Sequence, residues 1–368
     1  MLNFLSLKTD AFGMDISDLS LKIVKLKKQS RSLVLASFGE EEINPGIIKE
    51  GEIKDKEALV KVIKGAVKKI KGEKLKTKYV IASLPEEKAF LQVIRLPKMS
   101  EEDLKSAVIF EAENYIPLPI DQVYLDYQIV HPLANHLDHL DVLLAALPKS
   151  TVDPYLDCLK SAGLNPQSLE IESLAIGRAL IKNETSSSSV LLIDLGATRT
   201  SFIVYSGSSL RFTSSIPVSC QNFTQMISKA LNVSLPEAEK LKLKYGLIID
   251  AESPKEQVNI FEALVPSLVD LVQQIKKHLD YYQSHSFHEH LVSGDKGVSK
   301  IMLCGGGANL KGFPEFLSEQ LKITVELGNP WINILPGGEK EVVQLSIGES
   351  LRYATALGLA LRGAKNFQ

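Results

Sequence analysis

Two aspartates and a run of glycines, each at the end of an apolar stretch, are the residues in this chain best placed to do chemistry. Val190-Leu191-Leu192-Ile193-Asp194-Leu195-Gly196 leads through Ala197-Thr198-Arg199 into Thr200-Ser201-Phe202-Ile203-Val204-Tyr205. It reads as a strand, a turn and a second strand. A carboxylate at such a strand end can hold a hydrated Mg²⁺, and Gly196 lets backbone N–H groups approach phosphate oxygens. The N-terminal stretch Phe12-Gly13-Met14-Asp15-Ile16-Ser17-Asp18-Leu19-Ser20-Leu21-Lys22-Ile23-Val24 repeats the arrangement. Asp15 aligns with Asp194, Ser17 with Gly196, and Ile23-Val24 with Phe202-Ile203. A later segment, Lys300-Ile301-Met302-Leu303-Cys304, runs into Gly305-Gly306-Gly307-Ala308-Asn309-Leu310 and then a helix, the geometry for close approach of backbone to a nucleotide. Each segment alone fits an ordinary turn in an α/β protein; their order and separation point to a duplicated architecture.

Nucleotide binding requires metal-coordinating carboxylates, phosphate donors and a slot for the base. Asp15 and Asp194 would hold the metal through bound water. Lys22 is the cation of the first hairpin able to neutralise a phosphate, with the Ser17 and Ser20 hydroxyls beside it. The second turn offers the Gly196 and Ala197 amides and the Thr198 and Thr200 hydroxyls. Gly305, Gly306 and Gly307, with Asn309 and Leu310 after them, would line the base and α-phosphate.

The elements that must position these residues are legible in outline. A chain of 368 residues suggests two lobes or more, and 45% hydrophobic with 23% charged residues is an ordinary globular composition. A net charge of −2 gives no reason to expect nucleic-acid binding. Cys158, Cys220 and Cys304 are scattered, which fits a reducing compartment without disulfides or a zinc site. No signal peptide is visible, and no apolar run approaches the ~20 residues of a spanning helix. A helix is expected over roughly 56–71, with Leu59, Val62, Ile63, Ala66, Val67 and Ile70 at helical spacing and Lys61, Lys64, Lys68 and Lys69 on the opposite, solvated face. Residues 86–160 change rhythm to strand, helix, two strands and helix, with Ser100 as N-cap and Ile116-Pro117 as the helix stop. Thr185-Ser186-Ser187-Ser188-Ser189 reads as a linker, residues 221–290 as a helical insertion, and 348–361 as a final helix. His131, His136 and His139, and then His278, His285, His288 and His290, form clusters; the last three read as solvated loop residues rather than a metal site. The cluster of Tyr115, Tyr124 and Tyr127 fits a partner anchor and a core equally well.

These motifs resemble the actin-like ATPase-domain superfamily and, within it, the PilM family of type IV pilus assembly proteins, related to FtsA. The resemblance spans nearly the whole chain. It includes Leu96-Pro97-Lys98-Met99-Ser100, Glu111-Ala112-Glu113-Asn114-Tyr115-Ile116-Pro117 and Val123-Tyr124-Leu125-Asp126-Tyr127 of an inserted subdomain. It also takes in Glu170-Ile171-Glu172-Ser173-Leu174-Ala175, Ala238-Glu239-Lys240-Leu241-Lys242 and Gly358-Leu359-Ala360-Leu361-Arg362.

It implies an α/β, ribonuclease H-like duplicated, two-lobed fold. The first lobe would be 1–85, completed by about 160–187 and the C-terminal helix; 86–160 would be the insert and 188–368 the second lobe. It implies ATP and Mg²⁺ as ligands, with Glu239 and Lys242 meeting the ribose. The partner would be the short N-terminal segment of a PilN-like membrane protein, held near Leu91, Ile94, Leu96, Tyr115 and Tyr127. That makes the chain a cytoplasmic scaffold, peripheral to the inner membrane through its partners.

Ser17, Ser219-Cys220 and Gln274 stand where the family usually has Gly, Gly-Gly and Glu, which implies weak turnover or a structural nucleotide. An FtsA-like membrane tether and a small-molecule kinase are the rival readings. The chain's end directly after the closing helix speaks against the tether, and the lack of a convincing catalytic base against the kinase. Ile332-Asn333-Ile334-Leu335-Pro336 is similar to the motif of PilN-like partners, which would allow self-association; as a local pattern it reads as a strand end before a Pro-Gly-Gly turn.

Overall fold

The computed structural model describes residues 10–29, 32–133, 138–250, 252–286, 290, 297–335 and 345–365. The chain divides into two units: Met1–His131, Asp138–Glu184 and Asn329–Gln368 form the first, and Pro132–Leu137 with Thr185–Gly328 the second. The C-terminal helix falls in the first unit, in line with the expectation that it completes the first lobe, and the second unit ends at Gly328 rather than at 368.

The first unit contains β1 (Phe12–Ile16), β2 (Ser20–Gln29), β3 (Ser32–Glu42), β4 (Ile48–Lys49), β5 (Glu52–Ile53), α1 (Lys56–Lys68), β6 (Lys71–Gly72) and β7 (Tyr79–Leu84). It continues with β8 (Phe90–Pro97), α2 (Glu101–Ala112), β9 (Val123–Val130), β10 (His139–Pro148), α3 (Lys149–Ser161), β11 (Asn165–Ile171) and α4 (Glu172–Leu180). After the second unit come α9 (Ile347–Ser350) and α10 (Ala354–Lys365).

The main sheet runs β11-β7-β1-β2-β3-β6, with β1 parallel to β7 and antiparallel to β2. All of β1 is buried, and its side chains alternate between two covered faces. Phe12, Met14 and Ile16 join Leu59 and Ile63 of α1 and Tyr155 of α3 in one core. On the other face, Leu357, Ala360 and Leu361 of α10 meet Val24 and Leu26 of β2.

The side chain of Asp55 caps α1 by accepting from the Ala58 amide at 2.9 Å. Helix α1 stops at Lys68, short of the expected boundary, because Lys71–Gly72 pair with β3 as an edge strand. Lys61, Lys64, Lys68 and Lys69 are exposed, and Lys69 pairs with Glu41 at 2.5 Å.

Within the same unit, β8-β10-β9 form a separate antiparallel sheet. Leu104, Val108 and Ala112 of α2 cover one face, against Ile94, Leu96, Val142 and Leu144. Ser100 caps α2, accepting from the Asp103 amide at 3.2 Å.

The second unit contains β12 (Ser186–Leu195), β13 (Thr200–Gly207), β14 (Ser209–Ile216), α5 (Cys220–Leu231), α6 (Leu235–Tyr245), α7 (Lys255–His285), β15 (Val298–Cys304), α8 (Phe313–Leu321) and β16 (Thr324–Leu327). Its sheet runs β14-β13-β12-β15-β16. The serine run expected to be a linker is the start of β12. Ser189 is fully buried there, and its hydroxyl meets Ser206 at 3.1 Å and the Tyr282 hydroxyl at 2.9 Å. Serine composition signals a linker only where water solvates the hydroxyls; here other side chains satisfy them.

Contrary to the expectation from sequence, α7 is, by length and composition alone, long and apolar enough to cross a membrane. Its Ile260, Leu264, Leu268, Leu271 and Ile275 are buried in the second unit. The histidines also depart from the loop reading: His285 ends α7 and stacks on Tyr281, while His290 is 1% exposed and bonded to Ser206 at 2.8 Å. His136 and His288 lie outside the described residues.

Asn333, in the segment similar to the partner motif, is structural. Its amide donates to the Arg178 and Ile181 carbonyls at 2.9 and 2.7 Å, closing the end of α4, and Ile334 is buried. Trp331–Leu335 form a turn rather than a strand end, and the Pro-Gly-Gly that follows lies outside the described residues.

Helix α10 can approach this closely because of one missing side chain. A Cβ on Gly358 would stand 1.9 Å from the Ala175 carbonyl oxygen of α4. Backbone cannot yield as a side-chain tip does, so Gly358→Ala should lower stability by about 1–3 kcal/mol. Chemical denaturation checks this; an unchanged midpoint would mean the two helices separate freely.

Candidate functional site

In the first unit, Asp15 lies opposite Lys22 across β1 and β2, and Lys22 opposite Glu40 across β2 and β3. Asp15 is 5% exposed and Lys22 is 8% exposed. Lys22 Nζ is 3.9 Å from Asp15 Oδ2 and donates to Ser20 Oγ at 2.6 Å. The Ser17 and Ser20 hydroxyls are 3.0 Å apart, and the Ser17 amide closes the turn on the Ser20 carbonyl at 2.9 Å. The sequence-predicted Asp15, Ser17, Ser20 and Lys22 thus form one connected cluster.

Ser83, at the end of β7, escaped sequence reasoning. Its hydroxyl donates to Asp15 Oδ1 at 3.1 Å and accepts from the Ile16 amide at 2.8 Å. Only the parallel pairing of β1 with β7 brings it there. Burial pushes the Asp15 carboxyl above its ordinary value, Lys22 and the Ser83 bond oppose the rise, and Glu40 adds to it.

In the second unit, Asp194 is the last residue but one of β12 and is in register with Ser201 on β13 and Cys304 on β15. Burial, then the charge of Asp194 and a bond to it, drive the Cys304 thiol well above its ordinary pKa. Gly305 has φ +82°, and a Cβ there would stand 2.2 Å from Asp194 Oδ1. Glycine is therefore required for the loop to lie against the carboxylate. Gly306 and Asn309 are exposed, whereas Gly307 and Leu310 are buried.

The turn after Asp194 departs from the expected set of donors. The Gly196 amide is taken by the Arg199 carbonyl at 2.9 Å. Thr200 is fully buried and spends its hydroxyl proton on the Val218 carbonyl at 2.7 Å. Neither is left for a phosphate. The Gly196 and Ala197 carbonyls accept from the Cys220 and Gln221 amides, both at 3.1 Å, so the turn is pinned to the start of α5. Among the described residues nothing accepts from the Ala197 or Thr198 amides, which stay available.

Glu239 and Lys242 do share a face of α6, but Lys242 is buried and points into the protein, paired with Glu239 at 2.7 Å. Thr224, which bridges them, was not singled out by sequence. Gln274 lies along α7 with its side-chain amide 3.4 Å from Asp270. Among the described residues no cluster of three His, Cys, Asp or Glu side chains could hold a metal alone. A divalent cation at either aspartate would need water and phosphate oxygens to complete its shell.

The five expected partner contacts do not form one surface. Ile94 and Leu96 are 2% and 4% exposed in the core under α2, and Tyr127 packs on the same layer. Leu91 packs with Val93, Leu143 and Leu174 on the opposite face of that sheet. Tyr115 is half exposed. Side chains alternate along β8, so neighbours in sequence cannot face one groove together.

A family model for the type IV pilus assembly protein PilM matches residues 13–364. The chain belongs to the PilM family. It is 27% identical to a chain in a solved PilM-PilN type IV pilus biogenesis complex, covering 97% of this chain and 99% of that one at a TM-score of 0.78. The cell division protein FtsA of Helicobacter pylori (strain J99) is 27% identical over 212 residues, 52% of this chain and 42% of FtsA. The chain thus spans less than half the length of that relative. MreB5 of Spiroplasma citri bound to ADP shares the fold at TM-score 0.55, with 12% identity and coverage of 97% and 95% of the two chains. The fold of this PilM-family chain is actin-like α/β, with the β8-β10-β9 sheet and α2 as the inserted subdomain.

The elevated Asp15 pKa has a definite sign in stability. The folded chain holds that proton more tightly than the unfolded one, so Asp15 removes stability as pH rises from the ordinary value of 3.8 through the raised one. Relative to Asp15→Asn, the wild type should lose stability as pH rises above the ordinary carboxyl value of 3.8, and the loss should level off once pH passes the raised value. Urea midpoints of both proteins across that range check it, and parallel curves would show that Lys22 fully compensates the carboxylate.

Proposed function

We propose that this type IV pilus assembly protein is a nucleotide-binding scaffold. It binds Mg-ATP and holds the short N-terminal cytoplasmic segment of a PilN-like membrane protein. The observation that carries the reading is the near full-length likeness, at 27% identity, to the PilM-PilN complex.

The residues fit a magnesium nucleotide. Asp15 is a buried carboxylate whose ionisation a cation would favour. Lys22 and Ser20 offer donors to a phosphate beside it, and in the second unit Asp194 stands next to the open Ala197 and Thr198 amides. Gly305 lets the backbone close on that carboxylate. Magnesium, when bound, supplies charge neutralisation for phosphate oxygens. Pinning of the turn by α5 means its donors are set before ligand arrives, which favours binding. No general base stands out among these residues, so slow turnover is proposed, with nucleotide acting mainly as a ligand.

For the partner, the insert offers two sheet edges, β8 and β9, with half-exposed Tyr115 beyond the end of α2. An extended segment adds to such an edge by backbone hydrogen bonds, while pockets for alternate side chains give specificity. Ile94 and Leu96 would support the sheet rather than touch the partner. The chain would lie on the inner face of the membrane through this contact.

Asp15→Asn and Asp194→Asn should each weaken Mg-ATP binding by roughly 10–100-fold, the scale of a lost charged contact. Calorimetric titration measures this, and a wild type with no affinity for Mg-ATP would end the nucleotide reading. Separately, a synthetic N-terminal peptide of a PilN-like protein should bind the full chain, with Tyr115→Ala weakening it about 5–30-fold, in the range of an aromatic anchor. A peptide inert both with and without Mg-ATP would sink the partner reading.

A further inference from the structure

Lys242 is 5% exposed, and its ammonium meets three acceptors. These are Glu239 Oε2 at 2.7 Å, Thr224 Oγ1 at 2.8 Å and the Cys220 carbonyl oxygen at 3.2 Å. An ammonium has three protons, so none remains for a ribose hydroxyl. Thr224 Oγ1 accepts from Lys242, and its single proton faces Glu239 Oε2 at 2.5 Å and the Cys220 carbonyl at 3.0 Å, so Lys242 is the main hold on that carbonyl. The carbonyl belongs to the same rigid peptide plane as the Gln221 N–H. That N–H donates to the Ala197 carbonyl at 3.1 Å, and the Cys220 N–H does the same for Gly196. A cation on the oxygen of a peptide strengthens the bond its N–H makes.

We infer that Lys242 is a positioning residue: through the Cys220–Gln221 peptide it fixes the turn Gly196–Arg199 from α6, and it does not itself touch nucleotide. The consequence for binding rests on the nucleotide reading above; the mechanical coupling does not. Glu239, on the same helix, keeps a partly exposed carboxylate, with a side chain 44% accessible. Helix α6 thus reaches the phosphate turn through Lys242 and keeps a carboxylate at the surface in Glu239. Lys242 is the link that makes the two move together.

The test uses the full chain and Lys242→Met, which keeps an unbranched apolar stem. Without nucleotide, amide exchange at Cys220 and Gln221 should accelerate by roughly tenfold or more, as expected for losing a charge-assisted bond, while amides in the middle of β12 and β13 stay protected. Unchanged exchange at those two amides overturns the inference, as does uniform acceleration everywhere, which is general destabilisation. Thr224→Val, close in shape, should give the same local pattern to a smaller degree and covers the case where the methionine variant does not fold. Affinities for Mg-ADP and Mg-2′-deoxy-ADP should then fall by one common factor in Lys242→Met. A ratio between the two that collapses would mean direct ribose contact and overturns the positioning role. If the wild type binds neither nucleotide, the nucleotide reading fails, and the exchange result still decides the coupling.

Discussion

Taking a carboxylate out of water costs several kcal/mol unless neighbours compensate it, and each unit of this chain places one at the end of a strand in its central sheet. The two solutions differ. Asp15 is almost completely buried and is balanced by a lysine across the hairpin and a serine from the parallel neighbour. The compensation is incomplete, since burial outweighs both in shifting its pKa. Asp194 is only half buried and leans on a thiol and on a glycine backbone with no side chain to displace it. Strand register decides both sets of neighbours, so the hairpins have to be paired as they are for either aspartate to be tolerated. A cation would favour the charged form at each place, which links the architecture of the sheets to the proposed ligand.

The second unit shows how the turn after Asp194 is made rigid without glycine at every position. Ser219 caps α5, the next two amides hold the carbonyls of the aspartate turn, and Thr200 is bonded to the Val218 carbonyl. The donors left over are few and fixed. Such preorganisation would favour binding of the proposed nucleotide, because the donors need no reordering when it arrives.

In the β8-β10-β9 layer, periodicity governs which side chains reach the surface. The three-stranded sheet buries alternate residues under α2 and turns the others to the opposite face, so apolar composition alone marks core here. What remains at the surface is backbone at the sheet edges and a few exposed rings such as Tyr115. Asn333 teaches the same lesson: its segment looks like a recognition motif, yet its side chain closes the end of α4.

Local order was readable directly. The inward face of α1, the Ser100 cap of α2, both strand–Asp–turn hairpins and the glycine run after β15 depend on residues within a few positions of one another, and short-range sterics and periodicity govern them. Other features depend on which distant segments pair: the approach of Ser83 to Asp15, the capture of the Thr200 hydroxyl, the inward turn of Lys242, and the burial of a serine run in β12. Residue type is silent there, because a hydroxyl or an ammonium serves solvent, ligand or backbone equally well. The sequence by itself determined where a carboxylate could stand; tertiary contacts decided which neighbouring polar groups were already engaged, because a donor bonded within the protein is no longer open to a ligand.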